Sequence, residues 1–159
     1  MDLFVFLCST DLSNLDFQVV HSTEVFAGLI QENKIRPEKG ITGRLTYQDP
    51  CHLTRLGAPG APVFEAPRKL INSIPGVEFV EMEGNGEYTQ CCGRNPVELP
   101  ELSLHTGINR IKDAHAVGAN TIITGCSFCD WNLARAAKSL DEKMKTLDIT
   151  VLLANATEV

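Results

Sequence analysis

Apolar runs rich in β-branched and aromatic residues alternate along the chain with segments of helical spacing. The apolar runs predict five strands, at residues 3–8, 45–48, 77–82, 121–124 and 149–153. The intervening segments predict four helices, at residues 22–34, 67–71, 100–117 and 130–145. Strands that alternate with helices favour a parallel arrangement, so we expect an α/β fold with a small parallel sheet flanked by helices.

Two of the predicted helices have a defined apolar face and a defined end. Ser22 is a candidate N-cap for the first helix, which would bury a stripe formed by Val25, Leu29 and Ile30. The long helix after Pro100 would bury the face formed by Leu104, Ile108, Ile111 and Ala114. Gly118 would end that helix, because glycine adopts the left-handed conformation of a C-terminal cap at no steric cost.

Five of the six cysteines fall into three groups, and each group lies just past a predicted strand or in the loop that leaves one. The groups are Cys51, the adjacent pair Cys91 and Cys92, and the pair Cys126 and Cys129. Ligands of parallel α/β sheets bind beyond the carboxyl ends of the strands. We therefore expect the three cysteine loops to converge at one edge of the sheet.

Five converging thiols indicate an inorganic centre. Thiolates bind iron, zinc and copper(I), and Cys91 and Cys92 are too constrained to form a comfortable disulfide with each other. A tetrahedral zinc site and a conventional [4Fe–4S] cubane each use four ligands, so five thiols exceed both. The excess indicates either an unusual cluster or a site that keeps one thiol for chemistry. A structural zinc site remains the alternative.

Length and charge restrict the range of partners. A chain of 159 residues is expected to form one domain, residues 1–159, and its net charge of −6 opposes binding to nucleic acid or to an anionic membrane surface. No apolar stretch approaches the roughly 20 residues that span a bilayer, and the N-terminus lacks the basic region of a signal peptide. We expect a cytoplasmic protein without membrane insertion.

The cysteine groups and their flanking residues resemble the cysteine-rich "CCG" domain. The resemblance rests on Tyr47–Leu53, on Cys91-Cys92-Gly93 and on Cys126-Ser127-Phe128-Cys129, with further agreement at Glu65–Arg68, Ile74–Val77 and Asp148-Ile149. Domains of this type occur in B- and D-type subunits of heterodisulfide reductase. They also occur in iron–sulfur subunits of glycolate and lactate oxidation complexes.

The resemblance implies a cofactor, a reaction and partners. The cluster ligands would be Cys51, Cys91, Cys92, Cys126 and Cys129, holding a non-cubane [4Fe–4S] cluster. In such proteins the cluster cleaves a disulfide substrate in one-electron steps. The chain would then be an electron-transfer subunit of a heterodisulfide reductase-like complex, with a flavin or iron–sulfur subunit as its partner. Two alternatives stay open, a non-catalytic zinc-binding CCG module and an iron–sulfur subunit of a 2-hydroxyacid oxidase.

The chain departs from the family in carrying one CCG domain, where related proteins have two in tandem. The resemblance covers residues 20–155, and residues 1–15 are similar to the end of a preceding CCG domain in which Asp11 replaces a second cysteine. We therefore expect a fragment, a split subunit or a degenerate remnant of a two-domain protein. A dimer would rebuild the two-domain site.

The remaining candidate residues carry weaker expectations. His52 follows Cys51 directly, and because imidazole titrates near neutrality it is a candidate proton donor to a leaving thiolate, with a structural role as the alternative. Arg94 is expected either to balance cluster charge or to be solvated. Trp131 is expected at a packing surface or an interface. No chemistry is assigned to Cys8 or to the remaining histidines, His21, His105 and His115.

Overall fold

A four-stranded parallel sheet forms the centre of the fold. The computed structural model describes residues 20–55, 62–94, 99–141 and 143–157. The strands are β1 (Gly43–Gln48), β2 (Val77–Phe79), β3 (Thr121–Thr124) and β4 (Lys145–Asp148). Their spatial order is β2-β1-β3-β4, and every neighbouring pair is parallel. The predicted α/β class with a parallel sheet is confirmed.

Helices cover both faces of this sheet. In the described part of the chain they are α1 (Ser22–Gln31), α2 (Cys51–Thr54), α3 (Glu65–Asn72), α4 (Pro100–Ala116), α5 (Ser127–Ser139) and α6 (Ile149–Ala156). A single 3₁₀ turn spans Gly86–Tyr88. None of the helices in the described ranges is both long enough and apolar enough to cross a bilayer.

The sheet separates two apolar cores. Ile122 of β3 packs into the core that α4 and α5 cover, whereas the adjacent Ile123 packs into the core beneath α1, α3 and α6. This division follows from strand geometry, because successive side chains point to opposite faces. Helices α4 and α5 approach closely at Gly107, where an added Cβ would lie 3.0 Å from the Ala136 Cβ. That close packing fixes α5, which carries one of the cysteine pairs.

Several predicted elements are confirmed with small changes in length. β3 matches its prediction, β1 begins at Gly43 and not at Leu45, and β2 ends at Phe79 and not at Met82. α4 buries the predicted face, and Gly118 follows it with a φ of +72°. The first predicted strand, at residues 3–8, lies outside the described residues.

The first helix differs from its prediction at both ends. Its N-cap is His21 and not Ser22, because the His21 ring accepts the Thr23 N–H while the Glu24 carboxylate accepts the His21 N–H. The helix ends at Gln31, before the predicted end near residue 34. The predicted apolar stripe is confirmed only in part: Ile30 packs into the core, but Val25 is 46% exposed and Phe26 packs there instead.

The C-terminal elements were predicted incorrectly. The helix predicted at residues 130–145 spans Ser127–Ser139 as α5, and the segment 145–148 is the edge strand β4. The apolar residues 149–153, predicted as a strand, belong to helix α6. The Asp148 carboxylate accepts the Thr150 N–H at 2.8 Å and so caps this helix. A short apolar run does not distinguish a buried strand from a buried helix, which explains the error.

Candidate metal centre

The five cysteines lie at the carboxyl edge of the sheet, on three separate segments. Cys51 is the first residue of α2, immediately past β1, and Cys126 is the N-cap of α5, just past the neighbouring strand β3. Cys129 lies in the first turn of α5. Cys91 and Cys92 enter from the loop that follows the 3₁₀ turn. The predicted convergence of three cysteine loops is therefore confirmed.

All five cysteines line one cavity of about 380 Å³. Cys51, Cys91 and Cys126 are partly exposed in it, whereas Cys92 and Cys129 are buried. The cavity thus has sulfur donors at its mouth and in its depth. The donor set is soft and rich in sulfur, which suits iron or another thiophilic metal and does not suit a hard cation such as Mg²⁺.

The five thiols influence one another's pKa values in a series of neighbouring pairs. The order along this series is Cys51, Cys91, Cys92, Cys129 and Cys126. Hydrogen bonds from Cys51 and then Cys92 stabilise the Cys91 thiolate and hold its pKa far below the usual range. The hydrogen bond to Cys91 raises the pKa of Cys51, and the bonds to Cys126 and Cys92 raise that of Cys129.

Backbone N–H groups add positive potential at the same place. The Gly93 N–H donates to the Cys91 Sγ at 3.3 Å, and the Arg94 N–H donates to the Cys92 sulfur. Cys129 lies in the first turn of α5, where the helix dipole stabilises negative charge by about 0.3–1 kcal/mol. The cavity is therefore suited to an anionic centre.

Gln48 connects the segments that carry the first two cysteine groups. This side chain is 1% exposed at the end of β1, three residues before Cys51. Its Nε2 donates to the carbonyl oxygen of Gln90 at 3.0 Å, directly before Cys91. Its Oε1 accepts the Nε–H of Arg110 at 2.7 Å. One buried amide thus ties β1, the loop of the adjacent cysteines and helix α4 together.

A buried ion pair supports the segment that leads into Cys51. Asp49 is fully buried, and its two carboxylate oxygens accept from Nη1 and Nη2 of Arg68, each at 2.9 Å. The same carboxylate accepts the Gly86 N–H at 2.8 Å. Arg68 also pairs with the Glu81 carboxylate. The bidentate geometry fixes the direction of the chain just before Cys51.

Gly93 and Asn132 shape the loop of the adjacent cysteines. Gly93 has a φ of +86°, and a Cβ there would collide with the Ser103 carbonyl oxygen and lie 2.8 Å from the Thr106 Cβ. Asn132 is fully buried on α5, and its Nδ2 donates to the carbonyl oxygens of Cys92 at 2.7 Å and of Ser103 at 3.1 Å. The third residue of the Cys-Cys-Gly triplet must therefore be glycine.

Arginines and aromatic rings alternate at the mouth of the cavity. Arg94 lines the cavity, and its guanidinium lies 5.0 Å from the ring centroids of both Phe128 and Trp131. The Arg135 guanidinium lies 5.2 Å from the centroid of the Trp131 ring. Phe128 and Trp131 are both exposed. We call these four residues the arginine–aromatic face. Arg94 thus lies beside the cysteines, while its role in balancing charge and the role of Trp131 at an interface stay predictions.

The histidines separate into two groups. His52 lines the cavity, as its position after Cys51 predicts, and His21 lines it as well. His105 and His115 are exposed on α4 and do not line the cavity. The position of His21 at the cavity could not be predicted from the sequence, because it depends on how α1 packs beside Gly125. A Cβ added at Gly125 would lie 3.3 Å from the His21 ring.

The supporting polar residues of the site were not predicted either. Gln48, Arg110 and Asn132 form long-range bonds that a local pattern does not reveal. Only their positions in the sequence could have indicated a role at the site: Gln48 ends a strand, and Asn132 lies three residues after Cys129 on the same helix.

The described side chains do not form a preformed site for a single ion. Across the residues that the structure covers, no group of three or more His, Cys, Asp or Glu side chains is arranged to hold one metal ion. The five thiols share one cavity, and the mononuclear zinc alternative stays a prediction.

Comparison with known proteins identifies the family. A family model described as the CCG cysteine-rich domain matches residues 45–134, a span that runs from β1 into α5 and includes all five cysteines of the cavity. This chain belongs to the CCG cysteine-rich domain family. The triplet Cys91-Cys92-Gly93 and its steric requirement for Gly93 are the structural basis of the name.

Several relatives of this CCG domain have names that refer to redox complexes. The chain is 41% identical over 145 residues to the D-type subunit of dihydromethanophenazine:CoB–CoM heterodisulfide reductase of Methanosarcina mazei, an alignment covering 89% of this chain and 34% of the relative. It is 36% identical over 122 residues to the B-type subunit of fumarate reductase (CoM/CoB) of Methanothermobacter marburgensis, covering 75% and 23%. An uncharacterized iron–sulfur protein of Methanococcus maripaludis is 33% identical over 165 residues, covering 96% and 31%. The chain spans about a third of the length of the first of these relatives.

Proposed function

We propose that Cys51, Cys91, Cys92, Cys126 and Cys129 hold an iron–sulfur cluster of the non-cubane [4Fe–4S] type. The observation that carries this proposal is the meeting of all five thiols, from three segments, in one cavity. The family and a relative named as an iron–sulfur protein support it. An iron–sulfur cluster transfers one electron at a time and changes its charge as it does so.

The surroundings of the thiols would stabilise a negatively charged group in this cavity. The N–H groups of Gly93 and Arg94 face the sulfur atoms, and α5 directs its positive end at them. The Arg94 side chain adds a full positive charge at the mouth. In redox chemistry the chain would thus bind the group, stabilise its negative charge and let an acceptor approach through the mouth of the cavity.

We propose that the chain serves as a redox domain of a heterodisulfide reductase-like complex. Reduction of a disulfide consumes two electrons and two protons, breaks one S–S bond and yields two thiols. His52 lines the cavity directly after Cys51, so it is placed to supply a proton to a leaving thiolate. The name of the 41% identical relative supports a heterodisulfide as the acceptor.

We propose that the chain forms one CCG domain of a larger redox assembly. Its relatives are about three times longer, and two of them are named as subunits. The arginine–aromatic face borders the cavity, and neither of its arginines forms an ion pair with a carboxylate of the described residues. A redox partner with an acidic contact surface would match this face and bring its own centre close to the cavity.

Rapid mixing of the reduced protein with two probes tests the acceptor. The protein is reconstituted with iron and sulfide without oxygen, reduced, and mixed with bis(2-hydroxyethyl) disulfide or with a water-soluble quinone. We expect the disulfide to restore the oxidised absorption and to release two thiols for every two electrons. If the quinone reoxidised the protein and the disulfide did not, the result would instead favour a role in a 2-hydroxyacid oxidase complex.

The matched variants His52→Gln and His105→Gln test the proton donor in the same assay. We expect His52→Gln to slow thiol release by at least tenfold, because general acid catalysis typically contributes about 10²–10⁴-fold. His105 is exposed on α4 and does not line the cavity, so His105→Gln should react like the unmodified chain. Equal rates for both variants would remove His52 from the mechanism.

A further inference from the structure

Arg110 carries a positive charge into the interior of the protein. It lies on α4, is 1% exposed and is among the largest fully buried side chains of the described residues. Its Nε donates to Gln48 Oε1 at 2.7 Å, and its Nη1 donates to the Glu83 carbonyl oxygen at 3.2 Å. Its Nη2 is buried and has no hydrogen-bond partner in the described part of the chain.

The charge of Arg110 is only partly compensated. Its Nη1 lies 2.8 Å from an oxygen of Asp113, whose side chain is 29% exposed and therefore partly screened by water. Its strongest buried contact, Gln48, is a neutral amide. A buried guanidinium is costly unless it is paired and fully hydrogen-bonded, so a purely structural role does not explain this residue well.

The guanidinium is linked through Gln48 to a segment that lines the cysteine cavity. Arg110 interacts electrostatically with Asp113, with Asp49 and with Cys129. Gln48 joins it to the Gln90 carbonyl oxygen, next to Cys91. The helix that carries Arg110 packs against α5, which carries Cys129. Gln48 and Cys129 are themselves buried, so these interactions are little screened by bulk solvent.

We propose that Arg110 is a buried cation that raises the reduction potential of the group bound by the five thiols. This inference rests on the proposed function, namely that these thiols hold an iron–sulfur cluster. Reduction adds one negative charge, and a nearby cation in a medium of low dielectric constant stabilises the reduced state more than the oxidised state. Arg110 would act through the field at the sulfur atoms, as a residue that tunes the potential and does not touch the acceptor.

Two opposite changes of charge test this proposal. Arg110→Met removes the cation while it keeps a long side chain, and Asp113→Asn removes the carboxylate that compensates it. We expect Arg110→Met to disfavour reduction about tenfold, which is 59 mV for a one-electron couple. Asp113→Asn should shift the potential in the opposite direction. Arg110→Lys keeps the charge and should stay closer to the unmodified chain than Arg110→Met does.

The potentials are measured by EPR-monitored redox titration of the iron-loaded chain. Glu78→Gln is the control, because Glu78 is an exposed carboxylate that pairs with Arg44 near the amino ends of the strands, and we expect its potential to stay unchanged. A structural role would not produce shifts of opposite sign for Arg110→Met and Asp113→Asn. If Arg110→Met does not fold, Arg110→Gln replaces it, because it also removes the charge and keeps a donor for the Glu83 carbonyl oxygen.

The outcomes separate this inference from the proposed function. The role of Arg110 would be overturned if the iron-loaded variants had unchanged reduction potentials, or if the potential of Asp113→Asn fell. Neither result would contradict the binding of a cluster by the five thiols. An unmodified chain that binds no iron would overturn the proposed function and this inference with it.

Discussion

Asn132 of helix α5 donates a hydrogen bond from its Nδ2 to the main-chain carbonyl oxygen of Cys92, over 2.7 Å. Its Oδ1 accepts from the Ser103 hydroxyl at 3.2 Å, so one buried amide joins α4, α5 and the loop of the adjacent cysteines. The position of Cys92 in the cavity therefore depends on a side chain that is not itself a thiol. The same principle applies to Gln48, which holds the carbonyl group next to Cys91.

Asn132→Leu should lower both stability and iron content. The change leaves the buried carbonyl oxygens of Cys92 and Ser103 without their shared donor, and each unsatisfied group costs about 1–3 kcal/mol. We expect the free energy of unfolding in urea to fall by about 2–4 kcal/mol. Lys138→Ala, on the exposed side of the same helix, should stay within about 0.5 kcal/mol. Equal stabilities would show that the amide does not hold the loop.

Gly93→Ala should prevent the cysteine loop from adopting its conformation. The backbone has a φ of +86° here, and a Cβ would collide with the Ser103 carbonyl oxygen. We expect a loss of about 1–3 kcal/mol in stability and little iron after reconstitution. Gly28→Ala is the matched control, because a Cβ at Gly28 in α1 meets nothing within 4 Å. It should stabilise the chain by about 0.5–1 kcal/mol. Normal iron loading of Gly93→Ala would contradict the steric argument.

Asp49→Asn should destabilise the segment that leads into Cys51. Asp49 is fully buried and paired with Arg68, and removal of one partner from a buried ion pair costs about 3–5 kcal/mol. Glu81 retains its contact with Arg68 and should reduce the loss toward the lower end. Glu32→Gln breaks an exposed ion pair with Lys34, for which we expect about 0–1 kcal/mol. Urea unfolding of both variants measures the difference, and similar losses would contradict the assignment.

Cys91 should be the first of the five thiols to react with iodoacetamide in the metal-free protein at pH 6. The hydrogen bonds from Cys51 and Cys92 lower its pKa, so its thiolate persists as the pH falls, whereas the raised pKa values of Cys51 and Cys129 keep those thiols protonated. Peptide mass spectrometry at short times identifies the labelled residue. Faster labelling of Cys51, which is equally accessible in the cavity, would show that the thiolate lies elsewhere.

The sequence was sufficient for the features that depend on local pattern and chain order. Strands β1 and β3 contain short runs of apolar, β-branched and aromatic residues, and parallel order places the loops after them at one edge. The meeting of Cys51 with Cys126 therefore follows from topology. The cap at Gly118 follows from backbone sterics.

Features that depend on tertiary contacts could not be predicted. Residues 149–153 are apolar in either conformation, and only their packing beneath the sheet and the Asp148 cap decide for helix α6. The roles of Gln48, Arg110 and Asn132 depend on partners 29 to 62 positions away in the chain. The arginine–aromatic face requires Arg94 to meet α5, which no periodicity of either segment indicates.

The binding of an iron–sulfur cluster by the five thiols is tested by iron and acid-labile sulfide per chain, measured on protein purified without oxygen. We expect about four irons with matching sulfide for a [4Fe–4S] centre. Cys91→Ser and Cys92→Ser should lose both, and Cys8→Ser should retain them. Stoichiometric zinc without iron, or a full iron content in either variant of the adjacent pair, would show that the five thiols do not hold such a cluster.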